Sequence, residues 1–141
     1  MNLGDGLKAE LVASTATAAY LAGVGGAPDR VYPLVIPQKK PQGFSQIPAV
    51  VYARNSVERQ LLYCGTSGLV RTRVSLDCYD DTYAGAQELA AAVRETLQDF
   101  QGLLGAIVDV RNASLETEID LQDIEPGLYR VSQSWAFWHV E

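Results

Sequence analysis

An α+β fold is what this sequence predicts: one domain over residues 1–141, with a mostly antiparallel sheet and two main helices packed on it. Three observations lead there. Stretches with period-two alternation cluster in two groups, Ile47–Asp80 and Leu104–Val140. A stretch with helical spacing precedes each group, one near the start of the chain and one from about Thr82. The resulting order of helix, several strands, helix, several strands is that of an α+β domain.

The first helix opens at Asp5 or Gly6, places Leu7 and Leu11 one turn apart, and continues through Ala18 to Leu21. "GVGG" ends it, because glycine adopts the left-handed C-terminal conformation cheaply. Proline-rich sequence follows, read as a short edge strand around Val31–Ile36 and then a long mobile loop over residues 37–48. Ala49–Arg54 and Arg59–Cys64 read as two strands, "GTSG" as a turn, and Val70–Cys78 as a strand with Val70, Thr72, Val74, Leu76 and Cys78 on one face. Arg71, Arg73, Ser75 and Asp77 take the other face. Asp81 or Thr82 caps a second helix to about Phe100, with Ala86, Leu89, Ala90, Val93, Leu97 and Phe100 as its apolar stripe. Three strands complete the chain: Leu104–Val110, Leu115–Leu121 and Leu128–Val140. In the middle one, Leu115, Thr117, Ile119 and Leu121 oppose Glu116, Glu118, Asp120 and Gln122.

Composition narrows the function. With 141 residues, 48% hydrophobic and 20% charged, the chain is globular and needs no staples. A net charge of -6 argues against a nucleic-acid binder, whose affinity comes mainly from Lys and Arg. Cys64 and Cys78 have no CxxC spacing and read as two free thiols in a reducing compartment. No basic, apolar leader opens the sequence, and Leu11–Ala27 is too short and too weakly apolar to span a bilayer, so a soluble protein is expected.

Chemistry-bearing constellations are sparse. His139 is the only histidine, which excludes a His-based triad or multi-histidine metal site within one chain, and its aromatic neighbours favour a structural role. Asp77, Asp80 and Asp81 cluster where helix caps belong, and capping outweighs metal binding there. Ser67 lacks a nucleophile-elbow pattern, and the glycines of "GVGGAP" lack both the strand and the lysine of a phosphate loop. The row Glu116, Glu118 and Asp120 reads as a solvated sheet face or as a surface that repels DNA. Arg71 and Arg73 read as solubility charges or as half of a subunit contact paired with that row. Lys39, Lys40 and Phe44 give the long loop a cationic, aromatic tip, either mobile or a docking element.

The ordered set "DRVYPLVIPQ" (Asp29–Gln38), "IPAVVYARNS" (Ile47–Ser56), "GLVRTRVSLDCYDDTYAGAQELAAAVRETL" (Gly68–Leu97) and "GLYRVSQSWAFWH" (Gly127–His139) resembles the tail completion, or tail terminator, proteins of long-tailed bacteriophages. That resemblance implies a structural virion protein with no catalytic residues, no cofactor and no metal. It implies subunits that form a ring of six at the head-proximal end of the tail tube, end tail elongation and allow joining to the head. The implied partners are further copies of itself, the tail tube protein and a head–neck connector protein, with no sequence-specific nucleic acid and no membrane. Assembly in the host cytoplasm and a final place at the tail–neck junction follow from the same resemblance. Under it, Lys39, Lys40, Phe44, Arg71, Arg73, Glu116, Glu118 and Asp120 are the interface candidates. A head-closure or connector adaptor is the nearest alternative, and a small-molecule-binding regulatory domain is one from a different class.

Overall fold

The computed structural model describes residues 3–14, 21, 30–34, 48–105, 108–122 and 129–140. Helix α1 (Leu3–Ala13) forms because Leu3, Leu7 and Leu11 recur on one face, and all three are buried. The expected continuation toward Leu21 crosses residues outside the described set, although Leu21 itself is fully buried. Helix α2 (Tyr83–Leu97) starts at Thr82, whose hydroxyl accepts the Gly85 N–H at 3.1 Å. Its stripe Ala86, Leu89, Ala90, Val93 and Leu97 is buried as the spacing predicts, and Phe100 lies just beyond the helix.

Among the described residues, six strands form one sheet in the order β1-β2-β3-β6-β5-β4. These are β1 (Val31–Pro33), β2 (Ala49–Leu62), β3 (Gly65–Asp80), β4 (Gly102–Leu104), β5 (Val108–Gln122) and β6 (Tyr129–Val140). The β1–β2 pairing is parallel and the others antiparallel, so the sheet is mixed rather than strictly antiparallel. A parallel return needs a long connection, and residues 34–48 supply one.

Several expected boundaries shift for one physical reason. Ala49–Arg54 and Arg59–Cys64 are a single strand, with irregular register between Arg54 and Ser56 and between Arg59 and Leu61. The polar run around Asn55 resembles a turn in sequence but is absorbed as bulges. The hairpin turn falls at Tyr63–Cys64, so Gly65–Gly68 lies inside β3, where Gly65 and Gly68 take positive φ. Likewise Leu104–Val110 is broken by a turn at Gly105 (φ 59°), and Val108–Gln122 runs on as one strand with irregularities at Val110/Asn112 and Leu115/Thr117.

Both helices pack into one core on one face of the sheet. Helix α1 touches β1 and β4, the two edge strands, so the sheet curls until its margins meet the same helix. Trp135 and Phe137 on β6 fill the centre, both fully buried, with rings stacked at 6.2 Å.

Gln133, also on β6, is fully buried beside them. Its Oε1 accepts the Trp135 indole N–H at 3.0 Å, and its Nε2 donates to the Ala90 carbonyl of α2 at 3.0 Å. Gln133→Leu leaves the indole donor without its partner inside the core and is expected to cost about 1–3 kcal/mol. An unchanged thermal midpoint would show that the network contributes nothing.

Cys78 is fully buried and burial pushes its thiol far above the ordinary range, whereas Cys64 is exposed at the hairpin turn. One thiol per native chain is therefore expected to react with an aromatic disulfide reagent. The second should react only in denaturant, and two fast thiols would place Cys78 at the surface.

Candidate functional site

The register assigns each candidate to a face. Arg71 and Arg73 lie on the helix-free face of β3, opposite the row Thr72, Val74 and Leu76 that enters the core. There the Arg71 guanidinium donates to Glu116 at 2.7 Å, reaches Glu58 at 3.8 Å, and sits 6.0 Å over the Trp138 ring. Arg73 approaches the other oxygen of Glu116 at 3.7 Å. Farther along the same face, Arg130 lies 4.0 Å from Asp77 and over the Tyr79 ring. These are half-exposed pairs, each contributing at most about 1 kcal/mol.

The acidic row does not share one face. The bulge between Leu115 and Thr117 spends Glu116 on the helix-free side, then turns Glu118 and Asp120 toward α2. Ile119, which the alternation groups on one face with Leu115, is exposed on the helix-free face instead. Glu118 instead accepts from Arg94 of α2 at 2.8 Å and lies 3.4 Å from Gln133. Asp120 accepts the Tyr83 hydroxyl at 2.6 Å, while Gln87 donates to that hydroxyl at 2.7 Å. Bonding to a carboxylate holds the Tyr83 hydroxyl above its usual pKa. Thus Arg71, Arg73 and Glu116 do meet, but within one chain, and Glu118 and Asp120 fasten α2 to the sheet. Sequence reading missed Arg94, Tyr83 and Gln87 as partners because the inverted register past the bulge leaves no trace in the alternation. Lys39, Lys40 and Phe44 lie outside the described residues, as does the rest of the long loop up to Ile47.

The remaining nominated side chains have structural surroundings. His139 is buried, with Nε2 2.8 Å from the Thr72 hydroxyl. Asp80 accepts the Asp81 N–H at 2.6 Å beside the α2 cap, and partial burial raises its carboxyl pKa. Among the described residues no group of three or more His, Cys, Asp or Glu side chains is placed to hold a metal ion. No helix there is long and apolar enough to cross a membrane. A cleft of about 270 Å³ opens between the start of α1, the end of β1 and β2, lined by Leu3, Leu7, Leu34, Tyr52, Arg54 and Val74. Leu34 adopts a left-handed backbone (φ 65°) at its rim.

Among the described residues the arrangement offers a charged, helix-free sheet face and a β2–β3 hairpin that stays paired past the last β3–β6 pair, Leu69–Val140. Comparison with curated proteins finds no match. Among solved structures, a chain from the virion of a native gene transfer agent particle superposes with a TM-score of 0.69, over 99% of this chain and 95% of that one. The two are 18% identical, so the likeness shows a shared fold. The family model described as tail completion protein gp17 matches residues 6–139, from the first turn of α1 to the end of β6. This chain belongs to the tail completion protein gp17 family.

Proposed function

We propose that this chain is a structural protein of a tailed, phage-like virion that caps the head-proximal end of the tail tube as a ring of six. In that position it ends tube elongation and offers a surface for joining the head. The observation that carries the reading is the family match across nearly the whole chain, and the shared fold with a virion chain agrees with it. Its partners in this reading are neighbouring copies, the tail tube protein and a head–neck connector protein. The net charge of -6 suits a bore that passes DNA without holding it. The cleft at α1 falls just below the size range of ordinary ligand pockets, which gives the regulatory-domain reading little room.

Electron microscopy of lysates from a phage with an early stop codon in this gene tests the proposal. Tails of uncontrolled length, unattached to filled heads, are expected. Tails of normal length beside heads that leak DNA would reassign the protein to head closure. Intact infectious particles would overturn both.

A further inference from the structure

Arg54 ends an inward-facing row. Val50, Tyr52 and Arg54 alternate onto the helix-bearing face of the sheet, and the first irregularity in the β2–β3 register comes only after Arg54. Val50 is fully buried in the core and Tyr52 packs against it, but Arg54 is exposed at the mouth of the cleft beside α1. Lys8 approaches the same mouth from the helix. It follows Gly4, a lining residue, by one turn, and helical side chains lean toward the N-terminus, so its stem lies over Gly4. Among the described residues neither of these cationic side chains makes an ion pair or a hydrogen bond.

Behind the two cations the walls are apolar: Leu3 and Leu7 of α1, Val74 of β3, and Leu34 at the rim. The space is open because Gly4 and Ala53 add little bulk to it. An apolar cavity of about 150 Å³ takes a benzene ring. The cleft's volume of about 270 Å³ therefore takes one large apolar side chain and the backbone that carries it. Leu34 is 72% exposed and holds its left-handed backbone, φ 65°, with its N–H donating to the Tyr52 carbonyl at 2.9 Å. A bulky residue is strained in that conformation, and such strain gathers at ligand clamps. Burial, together with the nearby charge of Asp5, raises the Tyr52 hydroxyl pKa, so that group stays a hydrogen-bond donor at neutral pH.

We propose that this cleft receives the C-terminal residue of a partner polypeptide, its apolar side chain entering between Leu3, Leu7 and Val74 while the terminal carboxylate meets Arg54 and Lys8. Charge selects that occupant. Two cations without partners at the mouth of an apolar cavity call for an anion joined directly to an apolar group. A chain terminus carries both on one Cα, whereas inside an extended segment successive side chains point to opposite faces. Capture of a terminal carboxylate is a recurrent mode of peptide recognition. The volume, short of an ordinary ligand pocket, is sufficient for a single residue. The inference rests on the reading of this chain as an assembly subunit for where the partner comes from, but the binding itself does not depend on that reading.

The test is a titration of the full chain, followed by NMR, with the peptide acetyl-Ser-Gly-Leu bearing a free C-terminus and with its C-terminal amide. The free acid is expected to shift the amide signals of Leu7, Tyr52, Arg54 and Val74, and to bind at least about tenfold more tightly than the amide. Arg54→Gln with Lys8→Gln should bring the acid down to the level of the amide without moving the thermal midpoint, because both side chains are exposed. Gly4→Leu should fill the cleft and abolish binding of both peptides; should that variant fail to fold, the Gln pair decides alone. Equal binding of acid and amide overturns the proposal. So do shifts confined to other parts of the chain, or none at millimolar peptide. Binding of free 4-methylpentanoate as tight as that of the peptide would make this a small-molecule site and overturn the docking of a chain terminus. Unaltered tails in the stop-codon lysate would remove the assembly reading while leaving the peptide result standing.

Discussion

Trp135→Ala is expected to destabilise the protein by about 3–5 kcal/mol, a large part of the roughly 5–15 kcal/mol that holds a domain of this size folded. The indole is fully buried, stacks on Phe137, and donates its N–H to Gln133, so truncation removes apolar burial, opens a cavity and frees a buried acceptor at once. A fall in thermal midpoint on the order of 10 °C follows for a chain of 141 residues. Trp138, three residues on, is the internal control. It lies on the helix-free face under Arg71, only partly buried, and its loss should cost far less. Equal shifts for the two tryptophans would mean that the sheet faces are assigned the wrong way round.

The second large effect is at the seam between α1 and the β4–β5 turn. Gly105 holds a left-handed backbone at φ 59°, and a Cβ there would come within 2.7 Å of both the Ala9 Cβ and the Gly6 carbonyl oxygen. Its N–H meanwhile donates to the Glu10 carboxylate at 3.0 Å. Gly105→Ala therefore adds backbone strain to a collision with main chain that cannot swing away, and a loss of about 2–4 kcal/mol is expected. Gly102→Ala separates the two causes. Gly102 also has positive φ (123°), but nothing lies within 4 Å of its added Cβ, so strain acts alone there at about 1–3 kcal/mol. Chemical denaturation of both variants measures the difference, and equal losses would show that α1 does not approach the turn so closely.

Sequence alone was sufficient wherever a periodic pattern met an uninterrupted element. The α2 stripe from Ala86 to Leu97 and the inward row of β3 from Val70 to Cys78 appear in the structure as the spacing implies. Failures concentrate at bulges. A strand with one extra residue looks in sequence like two strands with a turn, which is how Asn55 and the Val110–Leu115 stretch mislead. The same device inverted the outlook of Ile119, Glu118 and Asp120, since a one-residue slip moves every later side chain to the opposite face. Gln133 was equally hidden, because a polar residue at an inward position declares itself only through partners that come from α2 and a tryptophan two residues away. The parallel β1–β2 pair carries no local signature at all, because its register depends on where a long connection returns.

Helix α1 has a consequence for how the molecule closes. Glu10 is fastened to Gly105, ninety-five residues later, and the helix touches β1 and β4, the outermost of the described strands at each margin of the sheet. A helix of eleven residues is too short to persist by itself in water, so its leucine face is held only by the folded core. The Glu10–Gly105 contact joins parts of the chain that are distant in sequence, a feature that slows folding. The same fastening makes α1 a single point of release, since its local detachment would uncover both free margins of the sheet together, exposing strand edges to any passing chain.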